Sequence, residues 1–283
     1  MILLNGRKIS DKIKMSLCKT IKDENLSPGL GIILMGNRPD SKLYVTMKKR
    51  ACEKVGIKNI DVIIDENSSE DDLIKEIIKM NNNSEIHGIL IQLPLPKHID
   101  QNKVLSMVSL EKDVDGFHVK NMGNLTLNRS DLLFPPCTPA GCMELLKHYN
   151  IEIEGKHAVI IGKSNIVGLP LSLMLLHEDA TVTIWHYKTK NLKEHTRNAD
   201  ILVAACGVPN YITKEYLKPG VVVIDIGINR LDDGSLVGDV DFDAIKDKAS
   251  AITPVPGGVG PMTIATLLEN TLIAYRQNLW EVF

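Results

Sequence analysis

The feature that most restricts the fold is a βαβ unit predicted over residues 157–186. An apolar run at 157–161 predicts a buried strand, and a second strand follows at 181–186. Between them, a glycine-containing turn at 162–170 leads into a helix that ends near His177. Strand, glycine turn, helix and strand within about 30 residues are typical of a crossover between parallel strands. The chain must therefore build a parallel sheet covered by helices, with a candidate nucleotide site at the turn.

The glycine turn differs from the two common phosphate-binding motifs. A Walker loop needs glycine where His157 stands, and Ser164 replaces the middle glycine of G-x-G-x-x-G. The second strand ends in the segment 186–190, His-Tyr-Lys-Thr-Lys, which lacks the acid that usually binds the ribose 2′-hydroxyl of NAD. These cations and Lys163 favour a 2′-phosphate, and therefore NADP. A solvated basic loop is the structural alternative.

Two further strands are predicted within 200–207 and 221–227, and both end in small residues. Gly207 and Gly227 allow a ligand to approach the backbone at the strand tips. A Pro/Gly-rich loop over 252–263 then opens a final helix, predicted from about Thr263 to Gln277. Its glycines and exposed amides suit contact with a cofactor or substrate.

The N-terminal part also alternates strands and helices, which predicts an α/β unit over residues 1–100. The run that starts at Gly88 is interpreted as a central parallel strand ended by prolines. Near residue 137 a stiff Pro-rich connector predicts a domain boundary. The other predicted elements are an amphipathic helix at 9–25, strands at 30–35 and 60–64, a helix at 69–80 that opens with a capping box, and a helix from Thr138 to about Tyr149.

A helix over residues 40–55 carries the first candidate for chemistry. Asp40 or Ser41 is its predicted N-cap, and Gly56 ends it. Helical spacing places Lys48 on the apolar face, four residues after Tyr44. A lysine on such a face either extends its amine to solvent or is partly desolvated. A partly desolvated amine can act as a general acid or base.

Two other polar positions stand out in this half. Gln92 is a polar amide at the carboxyl end of a buried strand, where open α/β sheets bind ligands. It can equally satisfy loop backbone groups. Asp113 and Asp115 precede Gly116 in an acidic turn, a pattern that is mostly structural. This turn is not an EF-hand, since the later oxygen ligands are missing.

Composition excludes several classes. The net charge of −2 gives no reason to expect a nucleic acid or an acidic membrane as partner. We expect no spanning segment, no secretory signal and a protein of the cytoplasm. The five cysteines contain no CxxC, and the eight histidines form no HxxxH pair. We therefore expect free, mostly buried thiols and no metal site.

Taken together, the motifs resemble the bifunctional methylenetetrahydrofolate dehydrogenase/methenyltetrahydrofolate cyclohydrolase family. The Pro/Gly stretch is long, ungapped and specific, and the matches follow the family's order along nearly the whole chain. They are Ser41-x-x-Tyr-Val-x-x-Lys48, Gly88-Ile-Leu-Ile-Gln-Leu-Pro-Leu-Pro96, Lys112-Asp-Val-Asp-Gly-Phe-His118, Pro136-Cys-Thr-Pro139, Ser164-Asn-Ile-Val-Gly-x-Pro170, Asp225-Ile-Gly-Ile-Asn-Arg230, Gly238-Asp-Val240 and Pro254-Val-Pro-Gly-Gly-Val-Gly-Pro-Met-Thr263.

The resemblance implies a two-domain α/β protein, usually a homodimer, with a cleft between the domains. It implies a catalytic, folate-binding domain at 1–137, on which a C-terminal helix at 264–283 packs, and a Rossmann-like NADP-binding domain at 138–263. It also implies two reactions. Hydride passes from 5,10-methylenetetrahydrofolate to NADP⁺, and water then opens the methenyl cation to 10-formyltetrahydrofolate.

The resemblance also implies roles for individual residues. Lys48 is the expected acid/base, Tyr44 is expected to pack against the folate rings, Gln92 to hydrogen-bond Lys48, and Asp115 to accept from the pterin. The remaining substrate contacts implied are Leu93, Pro256, Gly257 and Gly258. The cofactor contacts implied are Gly162, Lys163, Ser164, Ile166, Val167, Tyr187, Lys188, Gly207 and Ile228.

Two of these cofactor positions depart from the family. Many relatives have other residues at Lys163 and Tyr187, arginine among them, and lysine lacks the bidentate geometry of arginine. NADP is expected, and use of NAD stays open.

Three other hypotheses about the function also stay open. They are a monofunctional dehydrogenase, a catalytically silent folate- or NADP-binding protein, and a generic Rossmann dehydrogenase for a hydroxy acid. The last does not explain the N-terminal motifs.

Overall fold

The computed structural model describes residues 1–280 and divides into two compact units. The three-stranded unit consists of Asp11–Cys137 and the chain from Ile264 onward, and the six-stranded unit consists of Met1–Ser10 and Thr138–Thr263. The chain thus passes between units at Cys137. The predicted helix at 264–283 extends beyond the described residues at positions 281–283. Among residues 1–280, no helix combines the length and apolarity needed to cross a bilayer.

The three-stranded unit is built around one strongly apolar strand. Alternate side chains of Gly29–Met35 enter two separate cores, because side chains along a strand point to opposite faces. Helices cover both faces of its parallel sheet. The elements are β2 (Gly29–Met35), β3 (Lys58–Ile64) and β4 (Gly88–Ile91), with α1 (Gly6–Asp23, which starts in the other unit), α2 (Pro39–Val55), α3 (Glu70–Asn81), α4 (Gln101–Leu105) and α5 (Val119–Thr126).

The predicted position of one strand in this sheet is wrong. The strand order is β3-β2-β4, so β4 lies at an edge and β2 is central. All four β4 residues are nevertheless buried. A β-carbon placed at Gly88 would lie 2.7 Å from Val114 Cγ1, so the acidic turn packs against this strand. The other side chains of β4 are buried in the two cores, since Leu90 belongs to one and Ile89 and Ile91 belong to the other.

Helix α2 begins earlier than predicted. Its N-cap is Arg38 rather than Asp40 or Ser41, and Pro39 occupies the first turn. Proline suits this place because its fixed φ is already helical and its missing N–H has no partner to lose. The predicted end is confirmed, since Gly56 adopts φ +89° and donates to Cys52 O.

The elements of the six-stranded unit are β1 (Ile2–Leu3), α6 (Cys137–His148), β5 (His157–Ile161), α7 (Gly168–His177), β6 (Thr181–Trp185), α8 (Leu192–Thr196), β7 (Ile201–Ala204), β8 (Val222–Asp225), β9 (Asn229–Arg230), β10 (Leu236–Val237), α9 (Phe242–Ile245), β11 (Ala251–Ile252) and the start of α10 (Val259–Trp280), most of which belongs to the three-stranded unit. Its six-stranded sheet has the order β1-β11-β8-β7-β5-β6, with all six strands parallel, and β9 and β10 form a separate antiparallel pair. The predicted βαβ unit is confirmed as β5, α7 and β6, with His157 opposite Thr181.

Two boundaries here differ from expectation. The first ten residues belong to the six-stranded unit, because β1 pairs in parallel with β11 and extends its sheet. Helix α10 begins at Val259, four residues before the predicted start at Thr263. Pro261 had suggested a loop, but proline is compatible with the first turn of a helix, where its absent N–H costs nothing.

The capping box of α3 gives a first prediction. Ser69 Oγ accepts from Asp72 N at 3.2 Å, as the sequence indicated. Replacing Ser69 with alanine removes this acceptor and should lower the free energy of unfolding by about 1 kcal/mol. Urea unfolding followed by circular dichroism measures the change, with Ser68→Ala as the matched control. An unchanged midpoint for Ser69→Ala would show that the cap contributes nothing.

Candidate active site

Lys48 lies on the buried face of α2, as its spacing predicted. Its side chain is only 9% exposed, whereas Lys49 and Arg50 face solvent. Ala51, Cys52 and the sheet core close this face of the helix. The alternative of an amine extended into solvent is therefore excluded, and the amine sits in a largely dehydrated environment.

Gln92 is the hydrogen-bond partner of this amine. Lys48 Nζ donates to Gln92 Oε1 at 3.0 Å, as the resemblance implied. Gln92 Nε2 in turn donates to the Leu93 carbonyl at 2.7 Å, which fixes the orientation of the amide. Gln92 follows β4 directly, and its own N–H donates to Ile33 O on the central strand. The side chain thus both satisfies loop backbone and holds the lysine.

Burial disfavours the charged forms of Lys48 and Asp115. Desolvation lowers the pKa of Lys48, and the negative charge of Asp115 opposes that shift. Desolvation likewise raises the pKa of Asp115, while the positive charge of Lys48 and the neighbouring Cys137 thiol oppose the change. Both groups can therefore exchange protons closer to neutrality than they would in water. Groups with such shifts are candidates for proton transfer.

The two acids of the turn have separate tasks. Asp113 is buried and accepts hydrogen bonds from Phe117 N, His118 N and Asn121 Nδ2 at 2.7–3.1 Å. It therefore ties the turn to the start of α5. Asp115 instead interacts with Lys48. The structure therefore gives Asp113 a structural role and places Asp115 with Lys48, although the sequence pattern alone did not distinguish these two acids.

Tyr44 and Leu93 lie close in the chain to Lys48 and Gln92, respectively. Tyr44 is half-buried one turn before Lys48, and desolvation raises the pKa of its hydroxyl. Leu93 is also half-buried and follows Gln92. Sequence reasoning missed Cys137, whose thiol lies beside Asp115 and donates to Val114 O at 3.2 Å. Its place in the Pro-Cys-Thr-Pro motif was the available signal.

The lowered pKa of Lys48 gives a second prediction. Since desolvation destabilises the ammonium, Lys48 should lose its proton at a lower pH in the folded protein than in urea. Titration of the ¹³Cε signal by NMR measures this, with assignment from its disappearance in Lys48→Met. An identical midpoint in folded and unfolded protein would contradict the effect of burial.

The glycine turn of the six-stranded unit is fixed by close backbone packing. Gly162 has φ +132°, and a β-carbon there would lie 2.2 Å from Ala205 O. A β-carbon at Gly168 would lie 2.0 Å from Gly162 O. Ser164 Oγ accepts from Val167 N at 3.2 Å, so the serine in place of the middle glycine shapes the turn. Such a bare backbone at the start of a helix fits a dinucleotide phosphate.

The predicted cations beside this turn are accessible. Lys163 and Lys188 are exposed, and Tyr187 is 78% exposed. Lys188 Nζ lies 5.1 Å from the centre of the Tyr187 ring. Ile166 is half-buried within the turn. These side chains offer positive charge and an aromatic face to a ligand at the end of β6.

A pair of buried acids, which the sequence analysis left without a role, holds the tips of β7 and β8. Asp239 Oδ2 accepts from Cys206 N at 2.7 Å and from Gly207 N at 2.9 Å. Asp225 accepts from the backbone of Gly227, Asp239 and Val240 at 3.0 Å each. Burial raises the pKa of Asp225 to about 7. The Asp-x-Gly and Gly-Asp-Val motifs therefore shape the backbone around Gly207.

The Pro/Gly loop is also tightly held. Arg7 N donates to Gly257 O at 2.9 Å, and Gly258 N donates to Pro254 O at 2.8 Å. A β-carbon at Gly6 would lie 2.0 Å from Gly258 O, so the loop packs on the start of α1. Pro256 is exposed. Ile228, at the tip of β8, is 40% exposed.

Side chains that could bind a metal are dispersed in the described part of the chain. Within residues 1–280, no three His, Cys, Asp or Glu side chains converge as metal ligands would. All five cysteines are free thiols.

Two family models match the chain. Residues 4–115 match the tetrahydrofolate dehydrogenase/cyclohydrolase catalytic domain, and residues 136–279 match the NAD(P)-binding domain of the same family. The first match contains Lys48, Gln92 and Asp115. The second contains the glycine turn and the acids at the tips of β7 and β8.

Individual relatives agree with the family models. The chain is 51% identical over 285 residues to the bifunctional protein FolD of Nautilia profundicola, with full coverage of both chains. The crystal structure of the Campylobacter jejuni FolD methylenetetrahydrofolate dehydrogenase/cyclohydrolase superposes with a TM-score of 0.94 at 48% identity, covering 98% of this chain and 99% of that one.

A Trypanosoma brucei FolD structure, a complex with NADP cofactor and inhibitor, has the same TM-score of 0.94 at 37% identity, covering 99% of this chain and 98% of that one. Similarity thus extends over the whole length of these relatives, in sequence and in fold. With a buried lysine–glutamine pair in one unit and a glycine turn in the other, this chain belongs to the tetrahydrofolate dehydrogenase/cyclohydrolase family.

Proposed function

We propose that this chain oxidises 5,10-methylenetetrahydrofolate with NADP⁺ and then hydrolyses the methenyl product to 10-formyltetrahydrofolate, with Lys48 as the acid/base. The observation that carries the residue assignment is the buried Lys48 amine 3.0 Å from Gln92 Oε1, with Asp115 interacting in the same unit. The family and its bifunctional relatives support the two reactions. Bound NADP⁺ supplies the hydride acceptor for the first reaction.

The first reaction needs orientation rather than a protein nucleophile. Tyr44 presents its ring to the folate, and Asp115 accepts hydrogen bonds from the pterin. Leu93 and the loop at 256–258 provide further substrate contacts. The product is a cation, and a neutral Lys48 tolerates it better than an ammonium because like charges repel.

The second reaction needs proton transfers, which Lys48 performs. The neutral amine takes a proton from the water that attacks the methenyl carbon. The resulting ammonium then gives its proton to the ring nitrogen as the carbon–nitrogen bond breaks. The hydroxyl of the adduct releases its remaining proton to solvent as the carbonyl forms, which leaves the formyl group on the other nitrogen. Gln92 Oε1 orients the amine by accepting one of its hydrogens. Burial lowers the pKa of Lys48, which favours the neutral amine that accepts the proton of water.

The decisive experiment separates the two activities. Purified protein is mixed with methylenetetrahydrofolate and either NADP⁺ or NAD⁺, and reduced cofactor and methenyl absorbance are recorded together. We expect reduction of NADP⁺ followed by decay of the methenyl signal. A methenyl signal that decays only at the uncatalysed rate would indicate a monofunctional dehydrogenase. Absence of oxidation with both cofactors would indicate a silent binding protein.

Cofactor choice gives a third prediction. We propose that Lys163 and Lys188 bind the 2′-phosphate and that Tyr187 lies beside it. The rest of the cofactor contacts the glycine turn and the strand tips, at Gly162, Ser164, Ile166, Val167, Gly207 and Ile228. Lys163→Ala should then raise the KM for NADP⁺ up to about tenfold and leave that for NAD⁺ unchanged, since one charged contact is lost. Steady-state kinetics with both cofactors measure this.

Lys193→Ala is the control, because Lys193 is a partly exposed lysine of the same unit whose Nζ pairs with Glu215 at 2.7 Å. An equal effect of Lys163→Ala on both cofactors would contradict recognition of the phosphate.

The assembly and location are part of the same proposal. We expect a homodimer of the cytoplasm, in which residues 11–137 and the last helix serve the folate, and residues 1–10 and 138–263 serve NADP. Light scattering coupled to size-exclusion chromatography tests the dimer. A molar mass of one 31.3 kDa chain at micromolar concentration would contradict it.

A further inference from the structure

A single side chain of α10 hydrogen-bonds the backbone next to Asp115. Asn270 is 3% exposed, and its Nδ2 donates to the Val114 carbonyl at 2.9 Å. Val114 immediately precedes Asp115. The same amide nitrogen lies 3.4 Å from Pro135 O and 3.7 Å from Cys137 Sγ. The amide of Asn270 thus contacts both the acidic turn and the Pro-rich connector, and each lies more than 130 residues away from it in the sequence.

Two other contacts hold the backbone of the turn next to Asp115. The Cys137 thiol also donates to Val114 O at 3.2 Å, but a thiol is a weak donor. Gly116, with φ +78°, packs directly on the connector, since a β-carbon there would lie 2.6 Å from Pro136 N. The backbone on both sides of Asp115 is therefore held, and the amide of Asn270 is the strongest donor on its N-terminal side.

We propose that Asn270 is a positioning residue, which fixes the Asp115 carboxylate relative to Lys48 by holding the Val114 carbonyl. This inference rests on the proposed function for the role of Asp115 in turnover. Asn270 acts through the turn and not on the substrate. Helix α10, beyond supplying apolar residues to the core, thereby contributes to the chemistry of the site.

The kinetic test compares two deletions on the same helix. Asn270→Leu keeps the approximate size and removes the donor. The control Thr271→Val also removes a buried polar group, but one that donates to Leu267 O at 2.7 Å within the helix. We expect Asn270→Leu to raise the KM for the methenyl substrate about tenfold, the cost of one displaced hydrogen-bonding acid. Thr271→Val should leave the KM unchanged.

A double-mutant cycle distinguishes positioning from general damage. In the Asp115→Ala background, the effect of Asn270→Leu on KM should disappear, because the carboxylate that it positions is gone. An effect that persists at full size in that background, or an Asn270→Leu variant with the wild-type KM, would overturn the proposal. Asn270→Ser, whose hydroxyl is too short to replace the amide, serves if the leucine variant does not fold.

A readout without substrate keeps this inference separate from the proposed function. In the ligand-free protein the charge of Asp115 raises the pKa of Lys48, so a displaced Asp115 should lower that pKa further. The ¹³Cε titration of Lys48 should therefore move to lower pH in Asn270→Leu and not in Thr271→Val. An unmoved titration overturns the positioning role, whether or not the protein proves to be active. Unchanged kinetics in Asp115→Ala alone would instead refute the proposed function of Asp115.

Discussion

Replacing Lys48 with methionine is expected to reduce hydrolysis of the methenyl compound by roughly 10²–10⁴-fold, the usual contribution of a general acid/base. Hydride transfer should suffer much less, because it needs no proton shuttle. Methionine preserves the length and apolar stem of the side chain, so packing on α2 should survive. Decay of methenyl absorbance measures the first activity, and formation of NADPH measures the second.

Two further variants sharpen this result. Lys49→Met changes the adjacent lysine, which is exposed and pairs with Asp61 at 3.3 Å, and should leave both activities intact. Lys48→Arg keeps a positive charge that cannot be removed near neutral pH, and should therefore be as poor a hydrolase as Lys48→Met. Hydrolysis by Lys48→Met at the wild-type rate would exclude Lys48 as the acid/base.

The second large effect is expected for Gly168→Ala in the glycine turn. The new β-carbon would lie 2.0 Å from Gly162 O and 3.2 Å from Lys163 N, and both are backbone atoms that cannot rotate away. The turn must shift, so we expect a loss of at least about 3 kcal/mol in the free energy of unfolding. Where folded protein remains, NADP⁺ should bind at least about tenfold more weakly. Urea unfolding and a fluorescence titration measure the two effects.

The matched control is Gly123→Ala in α5. A β-carbon at Gly123 meets nothing within 4 Å, and the residue is exposed in a helix. Alanine is favoured there, so Gly123→Ala should be neutral or stabilise by up to about 1 kcal/mol. Equal stability losses in the two variants would show that the close approach of Gly168 to Gly162 is not what matters.

Features encoded by neighbours in the sequence were predicted well. The βαβ unit at 157–186 depends on apolar runs and a glycine turn that lie within one stretch of chain. The place of Lys48 on the apolar face follows from the spacing of α2, because residues three and four apart share a face. The stop at Gly56 and the cap at Ser69 are likewise local. Family resemblance then paired Lys48 with Gln92, which helical spacing alone could not do.

Features that depend on distant partners were missed. The edge position of β4 results from its pairing with β2, and the placement of β1 results from its pairing with β11, which is far away in the sequence. The N-cap of α2 was misplaced for a local reason, since Asp40 and Pro39 give competing signals. Proline in the first turn prevailed because its backbone angle is already helical.

The sequence by itself determined most of the longer strands and helices and placed Lys48 on the apolar face of α2, because periodicity and turn residues act over a few positions. Only the tertiary structure decided that Asp113 braces the turn while Asp115 interacts with Lys48, and that Asn270 holds the carbonyl between them. These contacts join segments up to 156 residues apart. Their geometry depends on how complete elements pack, and no local pattern records it.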